Sequence, residues 1–106
     1  MKTEGDCYEI HAKTIIGMSK YGDNAWNLCH GEVWHFKVGF HGHCWLENDK
    51  FCFDVSNENN VVMRKDKYYE LGKIKNVRRY TGRQAAEFMV KTEHYGPWED
   101  RQHNGN

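Results

Sequence analysis

The stretch Gly42-His43-Cys44-Trp45-Leu46-Glu47-Asn48-Asp49-Lys50-Phe51-Cys52-Phe53-Asp54 decides the fold. It reads as two strands joined by a tight turn, with turn chemistry at Asn48-Asp49. As a two-residue loop, Asn48-Asp49 pairs Glu47 with Lys50, Leu46 with Phe51, Trp45 with Cys52, Cys44 with Phe53 and His43 with Asp54. Alternation along each strand then sorts the side chains. Cys44, Leu46, Phe51, Phe53 and Val55 make an apolar face that belongs in a core. His43 and Asp54 lie opposite each other on the other face, where β-carbons are about 4.5–5.5 Å apart. At that distance a carboxylate can hold one ring nitrogen and leave the second to act as a base. A slip of one residue would separate the two groups onto opposite faces. Glu47 and Lys50, near the turn, are expected to be solvated.

Upstream, Gly5-Asp6-Cys7-Tyr8-Glu9 opens a helix expected from Cys7 to about Ser19. Asp6 is its expected N-cap, and Glu9 completes an approximate capping box. Tyr8, Ile10, Ile15 and Met18 form an imperfect apolar stripe. Amides at a helix start carry partial positive charge and favour a thiolate at Cys7. Trp26 to Phe40 reads as one long strand or two short ones, with Gly31 and Gly39 as breaks.

Downstream, Ser56 to Asn60 is a polar loop, Val61 to Met63 a short extended piece, and Arg64 to Leu71 a helix stopped by Gly72. Val77 to Tyr80 is a strand. Thr81 caps a last helix from Gly82 to about Thr92, with Ala85, Phe88 and Met89 inward. His94-Tyr95-Gly96-Pro97-Trp98 is a turn that docks its aromatics on the core. The expected fold class is α+β: an N-terminal helix on an antiparallel sheet of three to five strands, with one or two further helices. Residues 1–98 form one domain, and 99–106 a flexible tail.

The chain has 106 residues, enough for one compact domain. Lys plus Arg equals Asp plus Glu, 15 each, so the basic excess of a nucleic-acid binder is missing. No apolar run is long enough to span a bilayer, and no charged-then-apolar leader is seen at the start. These features point to a cytoplasmic protein with neither nucleic acid nor membrane as partner, and to four cysteines kept as thiols. Cys7 and His11 share a helix face, and His41 and His43 a strand face, so a tetrahedral zinc site is one alternative. The leading assignment needs neither metal nor cofactor. Cys29-His30 is a second thiol–imidazole pair, but it lies before a strand and not a helix; Cys44 and Cys52 read as packing residues, and Tyr68-Tyr69 as packing plus a surface phenol.

The order Cys7, His43, Asp54 resembles the papain-like superfamily, especially its transglutaminase-like branch. There the second motif commonly reads His-Ala-Trp-Val-Glu, followed by a strand ending in Asp. This chain has His43-Cys44-Trp45-Leu46-Glu47 and then Asp54-Val55-Ser56. The wider pattern is also similar to small proteins of bacteria and their phages. The resemblance implies a thiol hydrolase or acyltransferase acting on a peptide or protein amide. Cys7 would be the nucleophile, His43 the base and then acid, and Asp54 the orienting group. No Gln precedes Cys7, so the backbone amide of Cys7 with His30 or Asn27 would serve the oxyanion, and Trp45 would line the cleft. The other alternative is a non-enzymatic protein on the same scaffold that binds a host protein.

Overall fold

The computed structural model describes residues 6–55 and 61–98. The structure describes the backbone of Asp6 but not its side chain, so its expected capping role lies outside what is described, as do the polar loop at 56–60 and the tail at 99–106. The elements follow one another as α1 (Asp6–Lys20), β1 (Asn27–His35), β2 (Gly39–Glu47), β3 (Phe51–Asp54), β4 (Val61–Arg64), α2 (Lys65–Gly72), β5 (Lys75–Tyr80) and α3 (Gly82–Thr92). The five strands form one sheet in the order β4-β3-β2-β1-β5, with every neighbouring pair antiparallel. The α+β expectation therefore holds, with two helices after the first. No described helix is long and apolar enough to cross a membrane.

Strand alternation sends two sets of side chains to opposite faces. Leu28, Cys44, Leu46 and Tyr80 meet Cys7, Ala12 and Ile15 of α1, Ala85 of α3 and Trp98. Cys29, Trp45 and Cys52 form a smaller cluster on the other face, under Tyr68, Tyr69 and Ile74. The stripe that α1 buries is Cys7, His11, Ala12 and Ile15. It looked imperfect in sequence because a thiol and an imidazole occupy two core positions. Trp98 and Tyr95 pack on the same cluster, as the closing turn suggested.

Asn48 changes the expected turn. Its side-chain oxygen accepts from the amides of Lys50, at 2.9 Å, and Phe51, at 2.7 Å. Its own amide donates to the Phe51 carbonyl at 3.0 Å. The loop is thus Asp49-Lys50, one residue later than the sequence reading placed it. The pairs become Leu46 with Phe53 and Glu47 with Cys52. This displaces the register by two, an even number, so every side chain keeps its face.

Trp26 to Phe40 is not one strand. His35 pairs with Gly39, and Phe36-Lys37-Val38 make the turn between β1 and β2. Gly39 marks that turn with φ +79°, a conformation that costs glycine little. Gly31 does not break β1. A β-carbon there would lie 2.8 Å from the Trp45 ring, so its bareness lets the indole cross the strand.

Thr81 caps α3 as expected, with the reciprocal Thr81–Gln84 capping box formed. At Gly82 the helix start touches α1. A β-carbon there would sit 2.5 Å from Ser19 Cβ and 2.8 Å from the Ile15 carbonyl oxygen, neither of which can swing away. Gly17, inside α1, has nothing within 4 Å of that position. Gly82→Ala is expected to destabilise by about 1–3 kcal/mol. Gly17→Ala is expected to stabilise by about 0.5–1 kcal/mol, because alanine loses less backbone entropy in a helix. Urea denaturation of the two variants beside the parent chain measures both signs.

Candidate functional site

The first turn of α1 lies directly on β2 because Gly42 has no side chain. A β-carbon at Gly42 would be 2.8 Å from the Tyr8 hydroxyl. This close approach sets Cys7 beside His43, near enough that the thiol acts on the ring's pKa. The β2–β3 ladder pairs only at Leu46 and Glu47, so among the described residues β3 makes no pair at the level of His43. Groups from both faces of the sheet converge there.

Asp54 anchors the cluster. Its Oδ2 is 2.7 Å from His43 Nε2 and accepts from the Tyr68 hydroxyl at 2.7 Å. Its Oδ1 is 4.0 Å from His11 Nε2. With Nε2 of His43 committed to Asp54, Nδ1 is the nitrogen left for the thiol. Asp54 reaches His43 diagonally and not as a direct cross-strand partner, since the loop moved.

Burial acts first on His43 and disfavours its charge. The hydrogen bonds to Asp54 and Cys7, and the charges behind them, outweigh burial and carry its pKa up to about 9. His11 goes the other way: burial lowers its pKa, against the raising effects of the Cys7 carbonyl and Asp54. Its Nδ1 lies 2.8 Å from the Cys7 carbonyl oxygen, and its Nε2 accepts from the Val55 amide at 3.3 Å. A donor at one nitrogen and an acceptor at the other define a neutral ring with its proton on Nδ1. His11 thus holds the backbone on both sides of the site, at Cys7 and at Val55.

Cys7, His43 and Asp54 are brought together. The three expected substrate contacts are not. Trp45 is fully buried; it stacks on His43 with ring centroids 6.3 Å apart and cannot touch a substrate. Asn27 pairs with Glu47, four residues along β1 from Gly31, which pairs with His43. That is about 13 Å away at the usual strand rise. His30 lies on the α1 face near the first turn, but its ring is packed among Tyr8, Tyr80 and Trp98.

Glu47 was expected in solvent and is buried instead. It accepts from Arg79 Nε at 2.8 Å, the Tyr69 hydroxyl at 2.7 Å and Trp45 Nε1 at 3.2 Å, with Lys65 Nζ at 3.3 Å. Burial pushes its pKa up, but the bonds from Arg79, Tyr69 and Trp45 prevail and hold it at about 2. Tyr68 and Tyr69 are therefore partners of the two buried carboxylates and not surface phenols. Nothing in the charged run Arg64-Lys65-Asp66-Lys67 before them names an acceptor across the sheet. His11 had a better signal, four residues from Cys7 on one helix face.

The metal alternative does not assemble. Both nitrogens of His11 are engaged, and Nε2 of His43 faces Asp54. Among the described residues no group of three or more His, Cys, Asp or Glu could hold a metal ion. A groove of about 300 Å³ between the β1–β2 hairpin, β4 and α2 ends on His43 and Asp54, with Trp34, Met63, Leu71 and Ile74 along it. Comparison of the chain with protein-family models, curated proteins and solved structures finds no match.

The raised pKa of His43 has a signed consequence. A group raised from 6.5 to about 9 contributes stability that is complete below 6.5 and lost as pH rises through 9. Above about 8.5 the thiols of Cys29, Cys44 and Cys52, raised by burial, add a loss of the same sign. Between pH 6.5 and 8.5 the urea midpoint is therefore expected to fall with pH. Asp54→Asn, which removes the main partner of the imidazolium, is expected to flatten that slope.

Proposed function

We propose that this chain is a small thiol hydrolase or acyltransferase acting on an amide or isopeptide bond. The resemblance of its His43-Cys44-Trp45-Leu46-Glu47 run to the transglutaminase-like branch of the papain-like superfamily supports the same reading, as does a helix-borne thiol against an antiparallel sheet. One observation carries the reading above all. A single imidazole is held 2.7 Å from a carboxylate and lies beside a thiol at a helix start, and both neighbours raise its pKa. With the thiol proton held on His43, Cys7 is left as the thiolate nucleophile.

In this reading the Cys7 sulfur attacks the carbonyl carbon, and the carbonyl π electrons move to oxygen. His43 then gives its proton to the leaving nitrogen as the C–N bond breaks, which leaves a thioester on Cys7. Water or a second amine attacks the thioester and passes a proton to His43, and the thiolate departs. Asp54 keeps the ring oriented through both halves. Tyr68 in turn holds Asp54, and Trp45 supports the flat side of the imidazole. The amide of Cys7 remains the oxyanion donor of this reading; Asn27 has no part in it.

A second reading has its own observation. Cys7 is only 1 % exposed, so its sulfur is closed to a substrate in this conformation. That favours a non-enzymatic interaction protein in which the same three groups are structural. A thiol-directed electrophilic probe, such as a peptide vinyl sulfone, separates the two. The enzymatic reading expects saturable labelling at Cys7. It also expects none in Cys7→Ala and a loss of about 10²–10⁴-fold in rate in His43→Gln. Labelling no faster than that of the unfolded chain would leave only the structural reading.

A further inference from the structure

The tip of the β1–β2 hairpin collects exposed apolar surface. Trp34 is 41 % exposed, Phe36 78 %, Val38 68 % and Phe40 41 %. These four, within seven consecutive residues, are nearly half of the large exposed hydrophobic side chains among the described residues, and Leu71 at the end of α2 is another. Scattered exposed apolar residues need no explanation, but a contiguous set does.

Three lysines surround this surface: Lys37 in the hairpin turn, Lys73 after α2 and Lys75 at the start of β5, with one carboxylate, Glu32, 4.0 Å from Lys75 Nζ. All three lysines sit on the rings themselves. Lys75 Nζ is 3.9 Å from the Phe40 ring centre, Lys73 Nζ 5.5 Å from that of Trp34, and Lys37 Nζ 5.7 Å from that of Phe36. Trp34 and Phe40 also pack edge to face, 5.4 Å apart. Aromatic anchors with a polar rim are the anatomy of a protein-binding hot spot.

We propose that this hairpin tip docks an acidic segment of a partner protein, one that carries an aromatic or large aliphatic side chain flanked by carboxylates. The apolar side chain covers Trp34, Phe36 and Phe40, and the carboxylates meet Lys37, Lys73 and Lys75. Nucleic acid fits less well, because the chain as a whole has no basic excess, 15 Lys and Arg against 15 Asp and Glu. An anionic membrane fits less well too. Its surface attracts basic segments by about 1 kcal/mol per Lys or Arg, and lipid-binding clusters typically hold four to eight. The patch is continuous with the groove that ends on His43 and Asp54, since Trp34 lines both. The proposal stands whether or not Cys7 is a nucleophile.

The test is a ¹⁵N NMR titration of the full chain with an octapeptide that alternates phenylalanine and aspartate. Controls are the phenylalanine–lysine octapeptide, an oligouridylate and phosphatidylserine vesicles. Shifts confined to residues 33–41 and 71–75 are expected with the acidic peptide. Affinity should fall at least tenfold in Phe36→Ser and in the Lys73→Glu, Lys75→Glu double variant. Both variants change exposed side chains, and their spectra report whether the fold is kept. Equal binding of the basic peptide overturns the proposal, as do tighter binding to the oligonucleotide or vesicles, shifts elsewhere, or self-association through the patch without peptide binding.

Discussion

The carboxylate of Asp54 is the constraint on which the site is built. An ionised group taken out of water costs several kcal/mol unless it is paired and hydrogen-bonded. Asp54 meets that requirement with His43 on β2 and Tyr68 on α2. The next residue, Val55, donates its amide to His11 on α1, so both faces of the sheet are tied to one point. Cys7 is held there as a consequence, because His11 accepts from the backbone beside Asp54 and bonds the carbonyl of Cys7 one helical turn back.

Glu47 repeats the device at the other end of β2. Arg79 comes from β5, Tyr69 from α2 and Trp45 from β2 itself. The two carboxylates are linked mechanically through one indole, since Trp45 donates to Glu47 and stacks on His43. Gly31 makes that possible by leaving room for the ring across β1. A buried ion pair is weak evidence for stability by itself. Here it fixes the orientation of the indole that stacks on the imidazole.

Much of this was legible in the chain. The α+β class, the capped last helix and the shared face of His43 and Asp54 all follow from local chemistry: alternation, turn residues and a capping box. The register was off by two because Asn48 folds its side chain into the turn. The face assignment survived because two is even. What was not legible depends on contacts between distant elements. Glu47 read as solvated, since nothing near it in sequence announces Arg79 or Tyr69. Trp45 read as a cleft wall and Asn27 as an oxyanion donor, because the β1–β2 hairpin had not been recognised and its register places both. Tyr68 looked like packing because its acceptor lies across the sheet.

The account rests on the coupling of His43 to both Asp54 and Cys7. The most direct measurement is the ¹⁵N ring spectrum of His43 as a function of pH, in the parent chain and in Cys7→Ser. The account predicts two protonated ring nitrogens at pH 7 in the parent and a pKa that falls when the thiol is replaced. A neutral ring at pH 7, or a titration indifferent to Cys7→Ser, would contradict it.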